Sequence, residues 1–322
     1  MILTLRALKL GDLLTAVPAL RAIRRAYPGE EHVLAAPESF APLVSLSGAI
    51  DRVVDMPGLR PLPADVNGAT VAFNLHGAGP ESTQLLEATR PKRLVAFRHP
   101  LIPATASQPS WDRTEHETAR WCRLVGARGI RASASDLRLE VPAISSARSS
   151  DAVVLHPGAS APARRWPPRR WAAVARWLAL DGCPIVITGS SEELGLAESV
   201  AQAAGLPADT VLAGRTSLLQ LAQLVAGARA VISTDTGVAH LASAFGTPSV
   251  VLFGPTSPAH WGPPADGPHL VLWAGTVGDP HGQVVDTGLL KIGVQDVVEA
   301  FTRLPRREAA SSEAGPAKVA RT

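Results

Sequence analysis

Residues 230–253 read AVISTDTGVAHLASAFGTPSVVLF. An apolar, β-branched run from Ala230 to Ser233 enters a small polar cluster. The chain continues into an alanine-rich helical pattern that stops at Gly246, and a second apolar run follows from Ser249 to Phe253. Neither run shows the alternation of a half-exposed strand, which fits strands buried on both faces. Two such strands joined through a helix run parallel, because an antiparallel pair needs only a short turn. The unit therefore predicts a parallel sheet flanked by helices. Its turn raises a chemical question. Asp235, Thr236 and Gly237 stand where the strand ends and the helix begins, and His240 lies one turn further on. Capping accounts for such a cluster, since Ser, Thr and Asp satisfy free N–H groups and Gly lets the turn close. An anion site accounts for it equally, since the free N–H groups and the positive end of the helix dipole point the same way. The segment by itself leaves both readings open.

The same alternation runs through the rest of the chain. ILTL precedes GDLLTAVPALRAIRRAYP, where Leu13, Leu14, Val17, Leu20 and Ile23 recur at helical spacing and Pro28 follows the end. The runs HVLAA, DRVVD, TVAFN and RLVAF come next, separated by stretches such as FAPLVSLSG and PESTQLLEAT. Residues 141–151, VPAISSARSSD, have the composition of a linker. Beyond them AVVLH, PIVIT, TVLA, AVIS and SVVLF are expected strands. RRWAAVARWLAL and SLLQLAQLVAG are expected helices, the first burying Trp171, Val174, Ala175 and Leu178. The fold class is α/β, with two Rossmann-like domains whose mostly parallel sheets face each other across a cleft. The expected domains are 1–145 and 151–304, and residues 305–322, without apolar periodicity, are expected to be a disordered tail.

Ligands of such sheets gather at the carboxyl ends of the strands. Four polar clusters fall there: LKLGD after ILTL, HPGAS (with His156) after AVVL, TGSSEE after PIVI, and STDTG after AVI. The first does not match GxGxxG, and the second and fourth do not match GxxxxGK[ST], so a nicotinamide fold and a P-loop NTPase lose their main support.

The 322 residues suffice for two domains of about 150 residues each. At 46% hydrophobic and 18% charged residues the chain is an ordinary globular one, and no apolar stretch approaches the roughly 20 residues of a membrane span. The opening MILTLRALKLGD carries charge inside its apolar run and lacks a small-residue cleavage site, so it reads as a first strand and not a signal peptide. Cys122 and Cys183 are the only cysteines, which leaves no disulfide framework, CxxC pair or zinc spacing and fits a reducing cytoplasm. The net charge is +3, with 27 Arg against 4 Lys. Arginine suits phosphate groups, although a GC-rich genome gives the same bias. Basic runs interleaved with aromatics are missing, so nucleic acid is not an expected partner.

Taken in order, LGDLLTAVPALRAIRRAYP, HPGASAPARRWPPRRW and DTGVAHLASAFGTPSVVLFGPTSPAHWGP resemble glycosyltransferase family 9, the heptosyltransferases of bacterial surface polysaccharide synthesis. The similarity runs from residue 1 to about residue 304, and its third motif is long and specific. The resemblance implies the GT-B fold, with the donor nucleotide held mainly by the second domain. It also implies that Asp12 is the catalytic base, accepting the proton of a sugar hydroxyl as that oxygen attacks the anomeric carbon. Read from the residues alone, Asp12 is as well a cap for a helix starting at Leu13. Gly11 would let the backbone approach a substrate closely. Asp235, Thr236 and Gly237 match the segment whose amides receive the diphosphate, with His240 near that group, and the turn would stabilise the leaving group as its charge develops. The positive helix end then takes the part of a metal, and no DxD motif occurs in the chain.

Arg164 stands where the family usually carries Lys, two residues before Trp166, and Arg165 follows it. Guanidinium keeps a phosphate-binding charge there, whereas a Lys-specific proton transfer would be lost. Trp166 itself reads as core or interdomain packing. TGSSEELG matches the region where the family sets a Glu against the ribose, with the register ambiguous between Glu192 and Glu193 and Glu192 preferred; a first-turn helix charge is the other reason for a Glu here. His156 joins this donor-side set. On the acceptor side NLHGAGPES and WDRTEHETARW supply His76, His116 and Glu117, with Arg120 nearby, and the Gly-flanked His76 is favoured. The segment GTVGDPHGQVVDTGLLKIG departs from the family, whose members often carry cysteine there.

The function so implied is an inverting, metal-independent transfer of a heptose-type sugar from a nucleoside diphosphate donor, ADP in the best-known relatives. The acceptor is a hydroxyl of a glycan, a lipid-linked core or a small aglycone. No cofactor is expected. The setting is the cytoplasm, with peripheral contact to the inner membrane surface. Two other readings stand beside it: a sugar-nucleotide epimerase or hydrolase of the same fold, against which the paired PGAS and DTGVAHLASAFGTP motifs argue, and a non-catalytic nucleotide-sugar-binding protein, against which Asp12 argues.

Overall fold

The computed structural model describes residues 1–142 and 151–306; residues 143–150 of the expected linker and 307–322 of the expected tail lie outside the described residues. The first half runs β1 (Ile2–Leu5), α1 (Leu10–Ala26), β2 (His32–Ala36), α2 (Ala41–Ser45), β3 (Arg52–Asp55), β4 (Val71–Asn74), α3 (Glu81–Ala88), β5 (Leu94–Val95) and α4 (Glu117–Gly126). The second runs β6 (Val153–His156), α5 (Pro168–Leu180), β7 (Ile185–Ile187), α6 (Leu194–Ala204), α7 (Leu218–Gly227), β8 (Ala230–Thr234), α8 (Gly237–Phe245), β9 (Ser249–Phe253), α9 (Pro258–Trp261), β10 (His269–Trp273), α10 (Thr287–Lys291) and α11 (Val294–Arg303). Each half holds one parallel sheet, ordered β3-β2-β1-β4-β5 and β10-β9-β8-β6-β7.

The central strands β1, β2, β4, β6, β8 and β9 are buried along their whole length, as continuous apolar runs require. The short runs at the margins fared differently. RLVAF pairs only at Leu94–Val95, and TVLA contributes a single bridge, Val211 to Ile187. The edge strand β10 was missing from the expected set; its HLVLW is half exposed and follows a Pro/Gly-rich stretch that reads as loop. In α5, Trp171, Val174, Ala175 and Leu178 are buried as expected, and Trp166 lies in the same core with its indole N–H donating to the Ile292 carbonyl at 3.0 Å.

Strand order reverses between β1 and β4 in the first sheet and between β6 and β8 in the second. At such a point the connections leave to opposite faces and a crevice opens beyond the carboxyl ends. The chain leaves β1 towards Asp12 and β4 towards His76; it ends β6 at His156 and leaves β8 towards Asp235. The residues singled out from sequence therefore fall at the two crevices by topology.

The halves share apolar packing. Leu14 and Val17 of α1, Leu43 of α2 and Leu139 form one buried cluster with Val225 of α7, Val231 of β8, and Val238, Leu241 and Phe245 of α8. Burying each such side chain is worth about 1.5–3 kcal/mol, so the seam is a substantial part of the core. Backbone bonds follow it, from Leu139 N–H to the Ala244 carbonyl at 2.9 Å and from Glu140 N–H to the Leu46 carbonyl at 3.1 Å. At the cavity end of the seam two glycines let the first turns of α1 and α8 interlock. A methyl group on Gly11 would lie 2.7 Å from Cδ2 of His240, and one on Gly237 would lie 2.9 Å from Cβ of Leu10.

The contact sets up a contest whose sign is measurable. Alanine is about 1 kcal/mol better than glycine in a helix, whereas overpacking costs about 1–3 kcal/mol. The His240 ring is backed by Trp261 at 6.0 Å between centroids, so it has little room to yield. Gly11→Ala is expected to lower the denaturation midpoint, and equal or greater stability would show that the ring swings clear.

Candidate active site

Both crevices open into one cavity of about 1020 Å³ between the halves. Leu8 to Asp12 line it from the first half. His156, Arg164, Glu193, Asp235, Thr236, Gly237 and His240 line it from the second, with His260, Trp261, Val277 and His281 near them.

Helix α1 begins at Leu10, earlier than the expected Leu13, so Asp12 sits inside the first turn and is not its cap. One carboxylate oxygen, Oδ2, accepts from the Lys9 N–H at 3.2 Å; the other lies 3.8 Å from Nη2 of Arg6, and the side chain is 24% exposed. Gly11, expected to admit a substrate, instead admits the His240 ring. Opposite, Thr236 caps α8 without a side-chain hydrogen bond, its hydroxyl donating to the Thr234 carbonyl at 3.3 Å. Side-chain capping therefore does not explain the STDTG turn, and the first amides of α8 face the cavity without a capping oxygen. Arg164 leans over them. Its Nη1 donates to the Asp235 carbonyl at 3.2 Å, Nη2 donates to the Ser160 hydroxyl, and Nε is buried with no partner among the described residues. A half-buried guanidinium with one unused N–H beside uncapped helix amides is suited to an anion.

Asp235 is buried and, among the described residues, no hydrogen-bond donor reaches its carboxyl; burial pushes its pKa up to about 6, with Arg164 opposing and Asp12 adding. His240 Nε2 lies 3.9 Å away, and burial pushes that imidazole down to about 4, so the ring is neutral. His156 is buried with Nδ1 3.0 Å from the Thr188 hydroxyl; burial lowers its pKa and the charge of Glu193 works against that.

Several expected residues lie elsewhere. Arg165 is exposed, its Nε donating to the Ala159 carbonyl at 2.9 Å, away from the cavity. Glu192 also turns outward, bonded to the Ser191 hydroxyl at 3.1 Å. Glu193 takes the inner place, accepting from the Ser190 N–H at 2.9 Å and packed on Gly158 where no side chain would fit. The register was legible, because Ser190-x-x-Glu193 has capping-box spacing. His116 caps α4: Nδ1 accepts from the Thr118 N–H at 3.2 Å, so Nε2 carries the hydrogen and donates across the cleft to the Gly262 carbonyl at 3.0 Å. Glu117 is buried and fully engaged, accepting from Arg6 at 3.1 Å, from the Trp121 indole at 2.9 Å and from Arg120. Both residues hold the fold together, and neither has a free atom for an acceptor. His76 is half-buried beside Asp12 and Arg6; burial, with Arg6 adding and Asp12 opposing, pushes it down to about 4, and its Nδ1 has no partner. It does not line the cavity itself. Lys9, His260 and His281 do, and the sequence reading had missed them. Lys9 was within reach of it, lying inside LKLGD.

The family model for glycosyltransferase family 9 (heptosyltransferase) matches residues 123–274. Over 116 residues the chain is 36% identical to lipooligosaccharide heptosyltransferase 2 of Haemophilus influenzae, a match that spans 34% of this chain and about a third (33%) of that relative. It is 27% identical over 286 residues to lipopolysaccharide heptosyltransferase 1 of Salmonella typhimurium, covering 80% of this chain and 89% of the relative. The solved structure of E. coli ADP-heptose lps heptosyltransferase II superposes with a TM-score of 0.77 at 22% identity, covering 94% of this chain and 97% of that one, which carries the GT-B arrangement of the two sheets. The family model spans just under half of the chain, and over that span the sequence is similar to glycosyltransferase family 9, while the fold of both halves agrees with that of a heptosyltransferase.

Proposed function

We propose that the protein is an inverting glycosyltransferase that moves a heptose-type sugar from ADP-heptose to a hydroxyl of a lipopolysaccharide-type core, or of another glycan or small aglycone. The observation that carries this reading is the opposition, across one cavity, of the Asp12 carboxylate to the uncapped first turn of α8 under Arg164. The names of the Salmonella and E. coli relatives support the sugar and the nucleotide. The first half, residues 1–145, holds the acceptor with His76 beside the base; the second, 151–304, holds the donor, with Glu193 rather than Glu192 at the nucleoside. No helix among the described residues is long and apolar enough to cross a membrane, and a lipid-linked acceptor is met by peripheral contact at the cytoplasmic surface.

In the reaction Asp12 takes the proton of the acceptor hydroxyl while that oxygen forms a bond to the anomeric carbon. The bond from that carbon to the diphosphate breaks on the opposite face, so the anomeric configuration inverts. The departing electron pair stays on the diphosphate oxygen, where the amides of α8 and the guanidinium of Arg164 receive the charge. Asp235 beside this group repels it when ionised, and its pKa, raised by burial to about 6, brings the neutral carboxyl within reach as the pH falls towards that value.

Asp12→Asn keeps the hydrogen bonds of the first turn but cannot take a proton. It is expected to fold and bind ADP normally and to turn over about 100- to 10,000-fold more slowly. Near-native turnover would reduce Asp12 to a helix residue. Arg164→Ala is expected to weaken ADP binding by about 1.5–3 kcal/mol and adenosine binding hardly at all, as calorimetry would read directly. Equal losses for both ligands would place Arg164 away from the phosphates. Because protein groups supply the positive charge, transfer in excess EDTA should run within a few-fold of the rate with magnesium. Activity that vanishes with EDTA and returns in proportion to an added divalent ion would sink the assignment of the α8 turn as the diphosphate site.

A further inference from the structure

Arg6 lies just beyond β1 and is fully buried, where a charge persists only when paired and hydrogen-bonded. No substrate reaches it. Its Nε donates to the backbone carbonyl of Asp12 at 2.8 Å, Nη1 donates to the Leu75 carbonyl, and Nη2 reaches the Thr15 hydroxyl at 3.2 Å and Glu117 Oε1 at 3.1 Å. Its face covers the Trp121 ring at 4.6 Å. Glu117 does not belong to Arg6 alone, since Arg120 holds its other oxygen. Two buried guanidinium groups against one buried carboxylate leave a positive charge to balance, and Asp12 Oδ1, 3.8 Å from Nη2, is the carboxylate that does so. The Thr15 hydroxyl closes the ring by donating to the same Asp12 carbonyl at 2.8 Å.

We infer that Arg6 is a positioning residue for Asp12: it clamps the first turn of α1 to the end of β4 and to α4, and so aims the Asp12 carboxylate into the cavity. The inference rests on the reading of Asp12 as the base. A base must stand within about 2.6–3.2 Å of the oxygen whose proton it takes, and a misplacement of about 1 Å costs on the order of 100-fold. Among the described residues, no other cation lies within ion-pair distance of Asp12, and Arg6 also touches its backbone. Losing Arg6 therefore frees the main chain and the side chain of the base together.

A residue that acts only through Asp12 matters only while Asp12 works, and a double-mutant cycle separates this from a general loss of stability. Arg6→Lys and Thr15→Val are made singly and with Asp12→Asn, and kcat, KM for the donor, ADP affinity and the denaturation midpoint are measured for each. Arg6→Lys is expected to lower kcat about 10- to 100-fold while KM and ADP affinity stay within about two-fold. Arg6→Gln, which lacks the charge, is expected to lose more, so that lysine counts as partial rescue. In the Asp12→Asn background neither Arg6 variant is expected to slow turnover further. Losses that multiply, or an Arg6→Lys effect that falls equally on ADP affinity, would overturn the positioning role. Near-native turnover of Asp12→Asn alone overturns the base reading, and the role of Arg6 with it. If the Arg6 variants do not fold, Thr15→Val carries the test: a loss of kcat that disappears beside Asp12→Asn supports the clamp, and unchanged kcat overturns it.

Discussion

The His240 ring occupies the spot where Gly11 has no side chain, and this contact brings the two sides of the site together. It brings the first turns of α1 and α8 to van der Waals distance, so that the positive ends of two helix dipoles converge on one cavity. One end carries a carboxylate within its own first turn, and the other carries none of the usual capping oxygens. The same architectural element is thereby used in opposite senses. In α1 the helix end steadies an anion that belongs to the protein, and in α8 it is left uncapped, as the proposed diphosphate site requires.

Burial then adjusts the charges so that this crowding is tolerable. Asp12, Asp235 and Glu193 line a cavity proposed to accept a diphosphate, an arrangement that would repel the ligand if every group were ionised. The raised pKa of Asp235, about 6, and the lowered pKa of His240, about 4, have the same first cause, loss of water; near pH 7 His240 is neutral, and Asp235 sheds its charge only as the pH falls through about 6. Arg164 works against that trend at Asp235, which fits a cation whose main duty lies with the ligand. A cluster of this kind holds its acid–base states by placement more than by mutual pairing.

Much of this was legible in the chain because parallel sheets write themselves plainly. Buried strands such as VVLH and SVVLF have no alternation to confuse the reading, and the polar residues that follow them fall at the crevices by topology alone. The sequence also placed Asp12, Arg164, Asp235 and His156 on the cavity. The choice between Glu192 and Glu193, where a rotation of one position around a helix start reverses in and out, was also legible, but only through the capping-box spacing of Ser190 and Glu193, which the ribose argument passed over. The sequence reading failed in WDRTEHETARW, where His116 and Glu117 look like surface polar groups. Their partners, Gly262 and Arg6, are far away in the chain, and no local pattern reports such a contact. Arg6 drew no attention for the same reason: a cation inside an apolar run is conspicuous, yet its purpose is set by residues 75 and 117.

The apolar seam has a consequence for how such proteins can diversify. The proposed reading puts donor and acceptor recognition on different halves, which invites the view that either half can be exchanged for that of a relative. Leu14, Val17, Leu43 and Leu139 are buried in one cluster with residues of α7 and α8, and the Leu139 backbone pairs with the far half. A chimera joined between the two sheets inherits a seam cut from two different proteins, with mismatched faces exposed or overpacked. New acceptors are more easily reached by changing the loops beyond β3, β4 and β5, which leave the seam intact, than by trading domains.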